Sequence, residues 1–249
     1  MKRKNLLLKI CYIAVFSALC FAGTSISFPL GASKVHLGNF FCILCGLLCG
    51  GIIGGLSGSI GMTLNDIVFG YPYTSFLRTM VTKFLMGFLV GSLFRLLVKK
   101  KLNGKIFVWI SALLLALLFS YMLTMYCLGK PNYTVDKMIL CAILFGLILI
   151  NAIFSFKLSN ISNCLSFSII VGISANVIGE FYIRIFFDMM LGNTYEVALA
   201  TSLSKLPGSL MTSIVTIILV MLLFYPLYKA THKINQFNDL ENDIDLNKK

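Results

Sequence analysis

Charge is what this chain has least of. Only 12% of its 249 residues are Asp, Glu, Lys or Arg, and nine of them are acidic, while 58% are hydrophobic and the mean hydropathy is +0.92. This excludes a soluble globular domain, where about a quarter of residues carry charge. Motifs that carry chemistry are missing too. There is no GxxxxGK[ST] loop, so the chain does not bind and hydrolyse ATP in the P-loop manner, and energy for any transport must come from elsewhere. There is no HExxH and no GxSxG, which leaves catalysis without support. Histidine is scarce, at two residues. Cys42 and Cys45 have CxxC spacing but no second pair or nearby His to complete a zinc set. All eight cysteines lie in or at the ends of apolar stretches and read as small hydrophobes, so no metal or cofactor is expected.

What is present is a series of apolar stretches of spanning length, which for a helix is about 20 residues. They run near residues 6–30, 76–98, 105–128, 137–157, 162–190 and 207–229. The longer block at 37–70 divides into spans at 38–50 and 52–69, because Gly50 and Gly51 allow a tight reversal. The expected fold is therefore an all-α polytopic bundle of eight spans, in one membrane domain over 1–249. An even count puts both termini on one side. Lys2, Arg3, Lys4, Lys9, Arg95, Lys99, Lys100, Lys101, Lys105, Lys157, Lys229 and Lys233 make that side cytoplasmic, while the outer loops hold only Lys34, Lys130, Lys137 and Lys205. The same bias accounts for the net charge of +12, and no aromatic-basic groove argues for nucleic acid. The start has the charged end of a signal peptide, but its apolar run is too long and no small-residue cleavage site follows, so it reads as the first span. From about 234 the chain becomes a polar tail, expected to be disordered.

Against this background, Asp66, Arg78, Lys83, Glu180, Arg184 and Asp188 stand out as ionisable residues inside or at the edge of spans, at one depth. A charge near the middle of a bilayer costs about 3 kcal/mol or more, so such residues face a protein interior and mark a ligand or ion path. Asn176, Glu180, Arg184 and Asp188 follow at four-residue intervals and line one helix face. Glu180 and Arg184 could neutralise one another there, or the stripe could line a cavity. Lys83 lies too deep to snorkel to water, and Asp66, at the end of the preceding helix, is the expected partner. His36 sits in a loop at 27–39 at the mouth of this cluster. Ala14, Ala18 and Ala22 form a smooth stripe on the first helix, which suits close approach of another helix, internal or external. The glycines from Gly46 to Gly61 let the second and third helices cross with backbones nearly touching. Leu206-Pro207-Gly208-Ser209 reads as the opening of the last helix, with proline in the first turn. The stretch 105–157 reads as a lipid-facing hairpin with almost no charge.

Several pieces, taken in order, resemble the substrate-binding S components of energy-coupling factor (ECF) vitamin transporters, in the riboflavin-type group. They are Val35-His36-Leu37-Gly38-Asn39, Gly54 to Gly61 leading into Asn65-Asp66 and Gly70-Tyr71-Pro72, Thr82-Lys83 with Gly87 and Gly91, Gly179-Glu180-Phe181-Tyr182, Leu206-Pro207-Gly208-Ser209, and Tyr225-Pro226-Leu227. The resemblance implies a six-helix bundle over 1–104 and 158–233, with 105–157 as an inserted transmembrane hairpin and 234–249 as a cytoplasmic tail. It implies a pocket near the outer face, capped by the loop between the first two helices. It also implies that Ala14, Ala18 and Ala22 dock on a membrane T component, which carries two cytoplasmic ATPases, and that the subunit topples in the bilayer to deliver its substrate. Ser209 stands where members often carry Asn, so no substrate contact is carried over to it.

On this reading the chain is the substrate-binding subunit of an ECF-type ABC importer in a bacterial plasma membrane. Its substrate is a vitamin or precursor that is pyridoxine-like, hydroxymethylpyrimidine-like or riboflavin-like. Asp66, Lys83, Asn176, Glu180 and Arg184 supply polar contacts, Tyr71 and Tyr182 stack on the ring, and His36 and Asn39 act from the lid. Two rivals are a stand-alone ion-coupled transporter that binds a cation at Asp66 or Glu180, and an intramembrane enzyme using Glu180 and His36 as acid and base.

Overall fold

The computed structural model describes residues 2–30, 33–129 and 135–232. Eight helices and one two-stranded hairpin make up the described residues. They are α1 (Lys2–Ser25), β1 (Ser27–Leu30), β2 (Ser33–His36), α2 (Gly38–Cys49), α3 (Gly51–Val68), α4 (Tyr73–Lys99), α5 (Gly104–Cys127), α6 (Val135–Phe154), α7 (Asn160–Met190) and α8 (Tyr195–His232). Five of them, α1, α4, α5, α7 and α8, are long and apolar enough to cross a membrane, and α2 and part of α6 are shorter apolar helices. The chain is thus a mostly helical, multi-pass membrane protein. The expected tail at 234–249 and the loop residues Lys130, Pro131 and Asn132 lie outside the described residues.

Glycine determines how the first half packs. Gly50 has φ of +103°, a conformation open to glycine, and it reverses the chain between α2 and α3 as its sequence suggested. The crossing involves three helices rather than two, because α4 joins it. A Cβ on Gly87 of α4 would lie 2.6 Å from the Gly54 carbonyl carbon, and one on Gly46 would lie 2.6 Å from the Gly87 carbonyl oxygen. With the backbones this close, α2 is buried along nearly its whole length and carries Cys42, Ile43, Cys45 and Leu47 into the core. Met86, Val90 and Phe94 of α4, Leu165 and Ile169 of α7, and Val220 and Phe224 of α8 pack around it.

The α5–α6 pair has two kinds of face. Leu113, Leu114, Leu117 and Leu118 are exposed, as expected of a lipid-facing hairpin. On the other side Val108 and Ala112 of α5 and Ile148 and Ala152 of α6 pack with Ile170 of α7. Polar ties fix one end of the pair to α7: Gly104 N donates to Asn160 Oδ1 at 2.7 Å, and Asn163 Nδ2 donates to the Ser155 carbonyl at 3.0 Å.

Two local expectations change. Within the loop expected at 27–39, β1 and β2 pair antiparallel, with Ser27 opposite His36 and Pro29 opposite Lys34, and Asn39 already belongs to α2. The last helix begins at Tyr195, so Pro207 lies inside it rather than in its first turn. In the polar run before Pro207 the hydroxyls are satisfied within the helix, Thr201 Oγ1 donating to the Val197 carbonyl and Ser204 Oγ to the Thr201 carbonyl, both at 2.8 Å.

Candidate functional site

One end of the bundle gathers the C-terminal ends of α1, α3 and α7, the N-terminal ends of α4 and α8, and the β-hairpin. The helical period places a polar stripe on each of three of these helices. Ser75, Thr79 and Lys83 are one turn apart on α4, as are Asn176, Glu180 and Arg184 on α7, and Lys205, Ser209 and Thr212 follow on α8. Together with Met62 and Asp66 of α3, Tyr71, Arg78, Thr24, Asn39 and Ser33, Lys34 and His36 of the hairpin, these stripes enclose a cavity of about 340 Å³. That is near the lower end of small-molecule sites, which span roughly 300–1,000 Å³. Among the described residues, none of α5 or α6 lines it.

At its base Lys83, 3% exposed, donates from Nζ to Glu180 Oε1 at 2.5 Å and to Asn176 Oδ1 at 2.8 Å. Glu180 Oε2 accepts from Ser209 Oγ at 3.2 Å, so α4, α7 and α8 are joined by one polar network. The expected Lys83–Asp66 pair is not formed. The α4–α7 packing brings Glu180 to Lys83 instead, and Asp66 accepts from Thr79 Oγ1 at 2.6 Å and Ser75 Oγ at 3.4 Å. Glu180 forms no ion pair with Arg184, although the two charges lie within electrostatic reach of one another. Lys83–Glu180 is the only ion pair among the described residues.

The hairpin closes the mouth. Leu37 N donates to the Gly23 carbonyl at 2.9 Å, and Lys34 Nζ sits 4.7 Å from the centre of the Tyr71 ring, a cation–π contact that holds the hairpin to the α3–α4 turn. Gly208 of α8 meets the hairpin on the other side, where a Cβ would lie 2.5 Å from Ser33 Oγ. His36 Nδ1 accepts from Gly38 N at 3.2 Å, which leaves the imidazole proton on Nε2. Burial first, then the Lys83 charge and, more weakly, that of Lys34, push the His36 imidazole down to about 3 against the opposing pull of Glu180. Asn39, 3% exposed, keeps an Oδ1 with no protein partner.

Of the residues expected from sequence, His36, Asn39, Asp66, Tyr71, Lys83, Asn176, Glu180 and Arg184 line this one cavity. Tyr182 does not. It lies two residues past Glu180, about 200° around the helix, and its side chain is 65% exposed on the outer surface. Tyr71 is thus the one aromatic ring on the wall among the described residues. Sequence reasoning left out Ser75 and Thr79, which the four-residue register from Lys83 indicates, and Lys34, Lys205 and Ser209.

A family model described as ECF-type riboflavin transporter, S component, matches residues 4–157. The chain belongs to this family. It is the substrate-binding subunit of an ECF-type vitamin importer, in a transporter family and not an enzyme family. S components pair with a T component and ATPases and bind a vitamin substrate. Among solved structures, ThiT from Listeria monocytogenes matches this S component with a TM-score of 0.55 at 14% identity, over 90% of this chain and 97% of that one, and so shares its fold. No curated protein matches the sequence. The family match ends before α7, so Asn176, Glu180 and Arg184 are supported by the geometry and not by the matched segment.

Proposed function

We propose that this S component captures a vitamin-sized polar solute in the hairpin-capped cavity and presents it to an ATP-driven module. The convergence of Lys83, Asn176, Glu180 and Ser209 from three helices beneath a lid carries this reading. Buried polar groups on opposed faces are expensive in a membrane, and a solute that completes their hydrogen bonds is the compensating use. Asp66, Lys83, Asn176 and Glu180 then fix the solute's polar edge, and Tyr71 covers its ring. His36 and Asn39 act from the lid side, His36 as a neutral donor through Nε2.

The core on this reading is α1–α4 with α7 and α8, over 1–104 and 158–233. The α5–α6 hairpin at 105–157 is an insertion, and none of its described residues lines the cavity. The termini are cytoplasmic, the cavity opens outward, and the setting is a bacterial plasma membrane. Ala14, Ala18 and Ala22, all exposed on α1, form the surface that docks on the T component and its two ATPases. Candidate solutes are riboflavin-like, pyridoxine-like or hydroxymethylpyrimidine-like.

The test is uptake of these labelled compounds by cells carrying this chain with or without a T component and its ATPases. Accumulation of one compound is expected only with all the partners present. Uptake by the chain alone, abolished by collapsing the proton gradient, would select an ion-coupled carrier instead.

A further inference from the structure

The cavity wall is unbalanced in charge. Lys34, Arg78, Lys83, Arg184 and Lys205 face it against only Asp66 and Glu180. The two carboxylates are already engaged. Glu180 holds Lys83 and Ser209, and Asp66 holds Thr79 and Ser75, while Arg78 Nη2 donates to that same Ser75 Oγ at 3.0 Å. Lys34 rests on the Tyr71 ring. That leaves Arg184 and Lys205, from α7 and α8, which lie within electrostatic reach of Arg78 and of each other; Asp188 acts on both and Glu180 on Arg184 at the same range, without closing an ion pair with either.

Arg184 is the sharpest case. It is 9% exposed, and its Nη1 has no hydrogen-bond partner. A guanidinium carries five donors, no acceptor and a permanent charge, so burying it with a donor unmade is costly, and the carboxylates near Arg184 do not reach that donor. Asp188, one turn further along α7, does not close an ion pair with it among the described residues and does not line the cavity. The remaining wall is also polar, with Met62 its one aliphatic-type side chain, which suits a charged solute better than a large apolar ring.

From this we infer that Arg78, Arg184 and Lys205 form an anion subsite, and that the solute carries a phosphate or carboxylate group which these three residues bind. Arginine forks match both groups bidentately, and the Lys205 ammonium adds a third donor from the opposite wall. The inference rests on the cavity being the substrate site, and it narrows the substrate class: an anionic derivative binds in preference to its neutral parent.

The experiment measures equilibrium binding to the purified full chain in detergent for three matched pairs. These are riboflavin and its 5′-phosphate, pyridoxine and its 5′-phosphate, and nicotinamide and nicotinate. In at least one pair the anionic member is expected to bind more tightly by about tenfold or more, the scale of a charge-assisted hydrogen bond. Arg184→Gln and, independently, Lys205→Gln should each shrink that preference about tenfold, and Arg184→Lys should restore part of it. Using two positions on different helices keeps the test valid if one variant fails to fold. A preference that survives both substitutions, or neutral members that bind as well as anionic ones, would overturn the subsite while leaving the cavity as the substrate site. No binding of any member, with no small molecule retained by the purified protein, would overturn the underlying reading and the subsite with it.

Discussion

Lys83 on α4 and Glu180 on α7 are separated by 97 positions in the sequence and meet at 2.5 Å, with Asn176 taking a second Nζ proton one turn away. This contact joins α4 to α7 at the depth of the cavity and places a charged network beneath the lid, with one Lys83 donor still free of the bonds to Asn176 and Glu180.

Removing either partner should affect binding and stability differently. Lys83→Met and Glu180→Gln are each expected to weaken solute binding by about tenfold or more, since each removes a charge-assisted contact. In thermal unfolding, Lys83→Met should be less stable than the double variant Lys83→Met/Glu180→Gln, because the single change leaves a buried carboxylate without its cation. Equal stability of the two would mean that the pair is not held out of water.

The glycine crossing predicts a position-specific packing defect. Gly87→Leu forces a side chain into the Gly54 backbone and should cost about 1–3 kcal/mol, lowering the yield of monodisperse protein. Gly146→Leu on α6 adds a side chain where a Cβ meets nothing within 4 Å and should be tolerated. Size-exclusion profiles and melting curves of the two variants make the comparison.

Lid seating depends on Gly208. Gly208→Val pushes against Ser33, and the expected outcome is faster solute release, by about tenfold if one charge-assisted hydrogen bond is lost, with the melting temperature largely kept. Stopped-flow dissociation kinetics read the effect directly. An unchanged release rate would separate the hairpin from gating.

His36 gives a prediction in pH. Its folded-state value of about 3 lies below the ordinary 6.5, so the unfolded chain binds the extra proton first. Its contribution to stability is complete above pH 6.5 and is lost progressively as pH falls toward 3. His36→Gln should flatten the decline of melting temperature over that window. Solute binding by the wild type should show no break near pH 6.5 from this residue.

The stripe on α1 separates binding from transport. Ala14→Leu, Ala18→Leu and Ala22→Leu together should leave solute affinity of the isolated chain intact and abolish uptake in cells with the T component and ATPases. Loss of affinity as well would move the stripe from docking to internal packing.

Much of this was legible from residue types. Charges stranded in apolar helices must face one another, so the residues around Lys83 were identifiable, and four-residue spacing put Asn176, Glu180 and Arg184 on one face. Which carboxylate Lys83 would choose was not legible, because nearness along the chain favoured Asp66 while α4–α7 packing decides for Glu180. Tyr182 misled because it adjoins a site residue in sequence, although a step of two residues turns it away from the cavity. Pro207 read as a helix start because the Ser and Thr residues before it look like loop, whereas the helix begins at Tyr195 and satisfies their hydroxyls on its own carbonyls. The cation–π contact of Lys34 with Tyr71 and the role of Lys205 depend on tertiary approach and leave no local pattern.

The most direct test of the central claim is mass spectrometry of small molecules released from the purified wild-type chain and from the Lys83→Met/Glu180→Gln variant. One vitamin-sized compound should be retained near one per protein by the wild type and lost from the variant. Equal retention by both would contradict that claim, because the bound molecule would then lie somewhere other than the cavity those residues hold together.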